Sequence, residues 1–165
     1  MTRDATINAP NGNSAGRLNM SSTRQSPIGW GRSIGRVRIL LVHEPGSYRA
    51  TIVQWLEMLD EVGRLEISGF GLDALRMIDA NRPDAVLVAA ALPDMSAYSF
   101  TRAVKAMQHP PVVVILNGIE SANIAGVAKR AGADYAVGWS ELRIALPSFL
   151  RDCAATLAAP HPAAP

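Results

Sequence analysis

The 165-residue chain contains one cysteine and two lysines, and no apolar run in it is long enough to cross a bilayer. Cys153 alone can neither close an internal disulfide nor supply a cysteine-rich zinc site, which excludes stapled secreted scaffolds and zinc fingers together. The first thirty residues lack the continuous apolar segment of a secretory signal, so a cytoplasmic protein without membrane contact is expected. What the chain does have is apolar content: 48% of its residues are hydrophobic and 18% charged, enough for one ordinary domain resting on its core.

Charge is divided unevenly along the chain. Arg3, Arg17, Arg24, Arg32, Arg36 and Arg38 face only Asp4 in the first 38 residues, so the formal net charge of +2 hides a basic arm on an acidic body. Residues 1–35 are rich in Asn, Ser, Gly and Thr without apolar periodicity. They cannot bury enough surface to offset the entropy of ordering, and a disordered basic arm is expected. Unpaired arginines of this kind can contact nucleic acid or an acidic protein, but these are spread out, which favours a solvated tail. Their acid-poor, Ser-containing surroundings are also compatible with an organellar targeting peptide. At the other end, residues 158–165 form an Ala/Pro tail that cannot continue a helix and is expected to be disordered. The folded domain is placed at 36–157.

Within it, short β-branched runs alternate with helix-length amphipathic stretches, the pattern of a parallel sheet covered on both faces. Strands are expected over Val37–Val42, Leu65–Ser68, Ala85–Ala89, Val112–Leu116 and Tyr135–Val137. The second alternates and suits a sheet edge, whereas the third and fourth are continuous apolar runs buried on both faces. Helices are expected from Ser47, as a cap with Ile52, Leu56 and Leu59 inward, over Leu72–Ala80 with Leu75 and Ile78 inward, and over Ala97–Met107, Ser121–Ala131 and Glu141–Thr156. Gly132 is placed to end the fourth helix. No second domain is expected after these elements.

Three local patterns join this order. Ile39 to Pro45 reads as a strand entering an acidic turn, Pro83 to Val88 followed by Leu92-Pro93-Asp94-Met95 as a third strand and its loop, and Ala131-Gly132-Ala133-Asp134-Tyr135 as the entry to a fifth strand. Together with Gly71-Leu72-Asp73-Ala74-Leu75 at the second helix, they resemble the receiver domain of two-component response regulators over about residues 36–157. The resemblance implies a CheY-like, flavodoxin-like doubly wound (βα)5 fold, a three-layer α/β/α sandwich with strand order 2-1-3-4-5. It also implies that any chemistry lies beyond the carboxyl ends of the strands, at the switch point between the first and third.

A phosphorylatable receiver needs there a carboxylate nucleophile, an acid pair for a hard cation, a hydroxyl and a lysine. In this chain the acid pair falls on His43 and Glu44, the phospho-acceptor on Ala89, the hydroxyl on Asn117, the lysine on Gly138 and the following proline on Trp139. Residues 85–93 contain no nucleophile at any register, and Asp94 lies beyond Pro93 in the loop as the better remaining acid. The resemblance therefore points to a degenerate pocket in a pseudo-receiver without enzymatic activity, metal or cofactor.

Other uses of these residues can be weighed. His43 beside Glu44 invites acid/base or metal chemistry, yet adjacent side chains diverge and no third ligand or nucleophile accompanies them. A small hydrolase or transferase built on the pair therefore lacks its parts. Asn117-Gly118 is first a turn former. Tyr135 and Trp139, four residues apart, read as partner or dimer anchors together with Arg143, the alternative for Trp139 being that it fills the pocket the lysine vacates. Trp55 lies one position off its helix's apolar stripe, so edge packing is expected. The leading expectation is a stand-alone, phosphorylation-independent protein-interaction module in signal transduction, with a protein partner or a homodimer through the last strand and its flanking helices. The alternative is a transcription-associated regulator whose basic arm touches DNA.

Overall fold

The structure, a computed structural model, describes residues 36–118 and 124–158. Five strands and five helices alternate: β1 Val37–Val42, α1 Ser47–Glu57, β2 Val62–Ser68, α2 Gly71–Asn81, β3 Ala85–Ala89, α3 Ala97–Lys105, β4 Val112–Asn117, α4 Ile124–Ala131, β5 Tyr135–Gly138 and α5 Trp139–Ala158. The strands form one parallel sheet in the order β2-β1-β3-β4-β5, as the alternation predicts.

Period-two alternation divides each central strand between two cores. Val37, Ile39 and Leu41 of β1 join Ala85 and Leu87 of β3 and Val114 and Leu116 of β4 beneath α1 and α5. The residues between them, including Leu40, Val42, Val86, Val88, Val113 and Ile115, pack under α2, α3 and α4. Both faces are thus covered, which is why β3 is buried at all five positions. Each Val, Leu or Ile so buried contributes about 1.5–3 kcal/mol over leaving it in water.

The amino edge of the sheet is tied by two aspartates. Asp84 accepts hydrogen bonds from the backbone N–H of Arg38 at 2.9 Å and from its guanidinium at 2.9 and 3.1 Å, joining β1 to the start of β3. Asp134 accepts from the Val113 N–H at 2.7 Å and pairs with Lys105 at 2.6 Å, joining β4 to the start of β5. Asp84 therefore stands at the edge opposite the expected pocket, as its position before β3 requires.

Several boundaries differ from the sequence reading. Strand β2 begins at Val62, not Leu65, because Gly63 lets the backbone pass close to Arg36 at a register shift between Val37 and Arg38; a Cβ there would lie 2.8 Å from the Arg36 Cβ. Ser47 does not cap α1: Gly46 holds the cap position without a side-chain bond, and Ser47 is the first helical residue. Ser96 does cap α3, its hydroxyl accepting from the Ser99 N–H at 3.1 Å, and that helix stops at Lys105, short of Met107. Helix α5 starts two residues early at Trp139 and runs through Ala158, where the tail was expected to begin. Gly132 ends α4 at φ 92°, the left-handed conformation its place after the helix demands. The basic arm over 1–35, the start of the fourth helix at Ser121 and the tail beyond Ala158 lie outside the described residues. Among the described residues, no helix is long and apolar enough to cross a membrane.

Candidate functional site at the carboxyl edge of the sheet

Strand order reverses between β1 and β3, so their carboxyl ends leave a crevice between loops that depart in opposite directions. The register carries the predicted positions to this one edge: Val42 pairs with Val88 and with Ser68, Ala89 with Leu116, and Asn117 with Gly138. His43, Glu44, Ala89, Asn117 and Gly138 are therefore brought together as strand ends.

Their chemistry is sparse. The His43 N–H extends the β1–β2 ladder by donating to the Ser68 carbonyl at 3.0 Å. Its ring Nδ1 lies 2.9 Å from the Glu44 carbonyl oxygen, which can only accept, so this bond places the imidazole proton on Nδ1. Arg49 reaches the His43 carbonyl at 3.4 Å. Glu44 is exposed, and no group of three His, Cys, Asp or Glu side chains among the described residues could hold a metal ion. Ala89 ends β3 with 7% of its surface exposed, and its methyl group can neither attack phosphorus nor ligate a cation. Asn117 is half-buried at the end of β4, and Gly118 after it forms a bend.

Asp94, the nearest carboxylate downstream, is turned away to another task. Its two oxygens accept the N–H groups of Gly71 and Leu72, each at 2.8 Å, at the start of α2. These bonds from Leu72 and Gly71 hold its carboxyl below the usual carboxylate range. Gly71 has no room for a side chain, since a Cβ would meet Met95 at 2.6 Å, so loop and helix start fit closely. Asp94 is a tertiary helix cap, a role that satisfies two donors which the helix itself cannot.

Trp139 sits beside the crevice. As the first residue of α5 it is half-buried, its ring centroid 4.7 Å from that of Tyr48 and 6.5 Å from that of His43. A Cβ on Gly118 would lie 3.5 Å from its indole nitrogen. The indole thus lies beside the ends of β1, β4 and β5. Tyr48, 63% exposed, is the neighbour that sequence reasoning missed. Its signal was present, an aromatic two residues after Pro45-Gly46 in a chain with only 5% aromatics.

The three residues read as one partner surface are not one patch. Tyr135 opens β5 at the opposite end of that strand from Trp139, opposite Val114, and packs edge-on against Phe149 at 5.0 Å. Arg143 lies one helical turn beyond Trp139 and holds its guanidinium 5.5 Å from the centre of the Trp55 ring, which is half-buried as expected. Trp139 and Arg143 therefore share the rim of α1 and α5, while Tyr135 belongs to the outer groove between β5 and α5.

Solved structures with this arrangement share one fold. A signal receiver domain from Mycobacterium tuberculosis is 24% identical, with a TM-score of 0.65 over 73% of this chain and 97% of that one. A two-component response regulator of the LuxR family from Aurantimonas sp. matches at 21% identity and TM-score 0.66 over 73% and 86% of the two chains. The response regulator domain of CheB from Thermotoga maritima matches at 16% identity and TM-score 0.64 over 73% and 97%. This is the receiver fold. No protein-family model and no curated protein matches the chain. At these identities the receiver fold is the shared property, and the residues at the crevice of this chain must be judged by their own chemistry.

Proposed function

We propose that this chain is a receiver-like module of signal transduction that binds a protein partner without being phosphorylated and catalyses no reaction. The observation that carries the reading is Ala89 at the end of β3, the one place on this fold where a carboxylate nucleophile would have to stand. Gly138 and Asn117 at the neighbouring strand ends offer no cation and no hydroxyl to a phosphoryl group, and Asp94 is committed to the start of α2. Trp139 beside the crevice supports a single resting arrangement, because its ring packs on Tyr48 at 4.7 Å with His43 edge-on to it.

The partner face best supported is the rim shared by α1 and α5. Tyr48 is exposed there, Trp139 backs it, and Arg143 is held over Trp55. Aromatic rings and arginine make efficient anchors since they present large area at small entropic cost. The cytoplasm is the compartment that fits such a module. Beryllofluoride with magnesium is the direct test: it should leave Trp139 fluorescence and the backbone amide spectrum unchanged, and a saturable, magnesium-dependent change would overturn the reading.

A further inference from the structure

Apolar surface left in water is concentrated at one corner of the sheet. Among the described residues seven large hydrophobic side chains are exposed, and Ile67, Phe70 and Leu72 supply three of them within six positions, where β2 turns into α2. Ile67 is 41% exposed, Phe70 55% and Leu72 56%. Exposed apolar residues scattered singly need no explanation, whereas a group of them at one place marks a surface that is used. Pro45 of the β1–α1 loop borders the group, its Cδ 3.7 Å from where a Cβ on Gly69 would stand.

The turn that carries these side chains is braced from both sides. The Ser68 hydroxyl donates to the Phe70 carbonyl at 2.9 Å and accepts from the Phe70 N–H at 3.3 Å. Asp94 holds the next two N–H groups, those of Gly71 and Leu72, and Gly71 fits against Met95 and Leu92. Phe70 and Leu72 are thus presented from an ordered backbone, which lowers the entropy cost of binding through them. Their frame is acidic: the loops at 43–48, 68–73 and 90–96 contain Glu44, Asp73 and Asp94 and no lysine or arginine. The arginines that flank these loops are engaged or balanced. Arg49 donates to the His43 carbonyl at 3.4 Å, Arg64 pairs with Glu66 at 2.6 Å, and Arg76, one turn along α2, has Asp79 three positions beyond it.

We propose that this corner docks a basic amphipathic helix of a partner protein, its apolar face on Ile67, Phe70 and Leu72 and its lysine or arginine side chains towards Glu44 and Asp73. An apolar stripe flanked by cations complements both components of the surface. Charge decides among the occupants: a second copy would set the same acids against each other, and an anionic membrane surface would be repelled by them, whereas a cationic segment is attracted. The surface is distinct from the rim of α1 and α5 and stands or falls independently of the phosphorylation reading.

Two-dimensional amide spectra of the full chain test it, titrated with a synthetic leucine–lysine peptide of about 15 residues patterned as an amphipathic helix, and with its counterpart carrying glutamate in place of lysine. The lysine peptide should give saturable shifts centred on Ile67 to Asp73 that weaken as salt is raised, and the glutamate peptide should bind at least about tenfold more weakly. Phe70→Ser and Leu72→Gln alter exposed side chains and keep the backbone N–H groups that Asp94 accepts, so both proteins should fold. Each should weaken the lysine peptide about fivefold to tenfold, the scale of an interface anchor. Glu44→Gln combined with Asp73→Asn should weaken it about threefold to fivefold and flatten the salt dependence. Absence of saturable shifts, shifts centred on another surface, equal binding of the two peptides, or unchanged binding by the folded Phe70→Ser and Leu72→Gln proteins would each overturn the proposal. So would the same shifts produced by phosphatidylglycerol vesicles, which would assign the corner to a membrane, or by raising the protein concentration alone, which would assign it to a second copy.

Discussion

Removing Trp139 tests whether the crevice is closed by packing. Its indole is half-buried and rests on Tyr48 at a centroid distance of 4.7 Å, with His43 edge-on behind it. A fully buried aromatic truncated to alanine costs about 3–5 kcal/mol, so a half-buried one should cost about 2 kcal/mol. Tyr48 is 63% exposed, and most of what it loses on truncation is the stack itself. Tyr48→Ala should therefore cost about 1 kcal/mol, the order of an aromatic pair. If the two rings stabilise the fold through each other, the double variant should be less destabilised than the two single costs combined by about 0.5–1.5 kcal/mol. Urea unfolding followed by far-ultraviolet circular dichroism measures all four proteins without depending on the tryptophan that is removed. A cost for Trp139→Ala under about 0.5 kcal/mol, or additivity of the pair within about 0.3 kcal/mol, would mean that the ring does not seal the crevice.

Three other tests address the frame around the site. Asp84→Ala leaves the Arg38 N–H and guanidinium without their acceptor; the 38% exposed guanidinium regains water, so the expected loss is about 2 kcal/mol by thermal denaturation. A loss below about 0.5 kcal/mol would remove Asp84 from the edge clamp. Because Asp94 is held below the usual range by the Leu72 and Gly71 N–H groups, the stability it lends is fully present above the unfolded carboxyl value of about 3.9 and is lost as pH falls below it. The stability difference between wild type and Asp94→Asn, measured by urea titration across the acid range, should shrink as pH drops through that window; a difference independent of pH would contradict the capping role. The half-buried Cys153 thiol is pushed up to about 11, first by burial and then by the charge of Asp152. Alkylation by iodoacetamide at about pH 8 should therefore run about 100-fold slower in the native protein than in urea, and equal rates would refute the burial.

Much of the architecture was legible because it rests on local pattern. The apolar runs at 37–42, 85–89 and 112–116 are strands in the structure because continuous β-branched and leucine-rich segments of that length can be satisfied only by burial on both faces. Misreadings occurred where a distant partner decides. Gly63 and Arg64 lie outside the expected second strand, but pairing of Val62 and Arg64 with β1 across a register shift carries both into β2. Asp94 read as a loop acid near the pocket, and nothing in the neighbouring residues shows that its acceptors are needed 23 positions upstream at Gly71. Tyr135 and Trp139 looked adjacent from their spacing of four, which brings residues together on a helix but separates them along an extended strand.

The amino-acid sequence by itself determined the alternation of strands and helices, the buried set of each and the residue types available at every strand end, including the alanine that closes β3. These follow from side-chain chemistry and periodicity, which act over a few residues. Only the tertiary structure decided which strand ends meet, that Trp139 lies beside them against Tyr48, and that Asp94 serves α2. Those outcomes depend on contacts between segments tens of residues apart, where packing geometry and not local preference sets which groups touch.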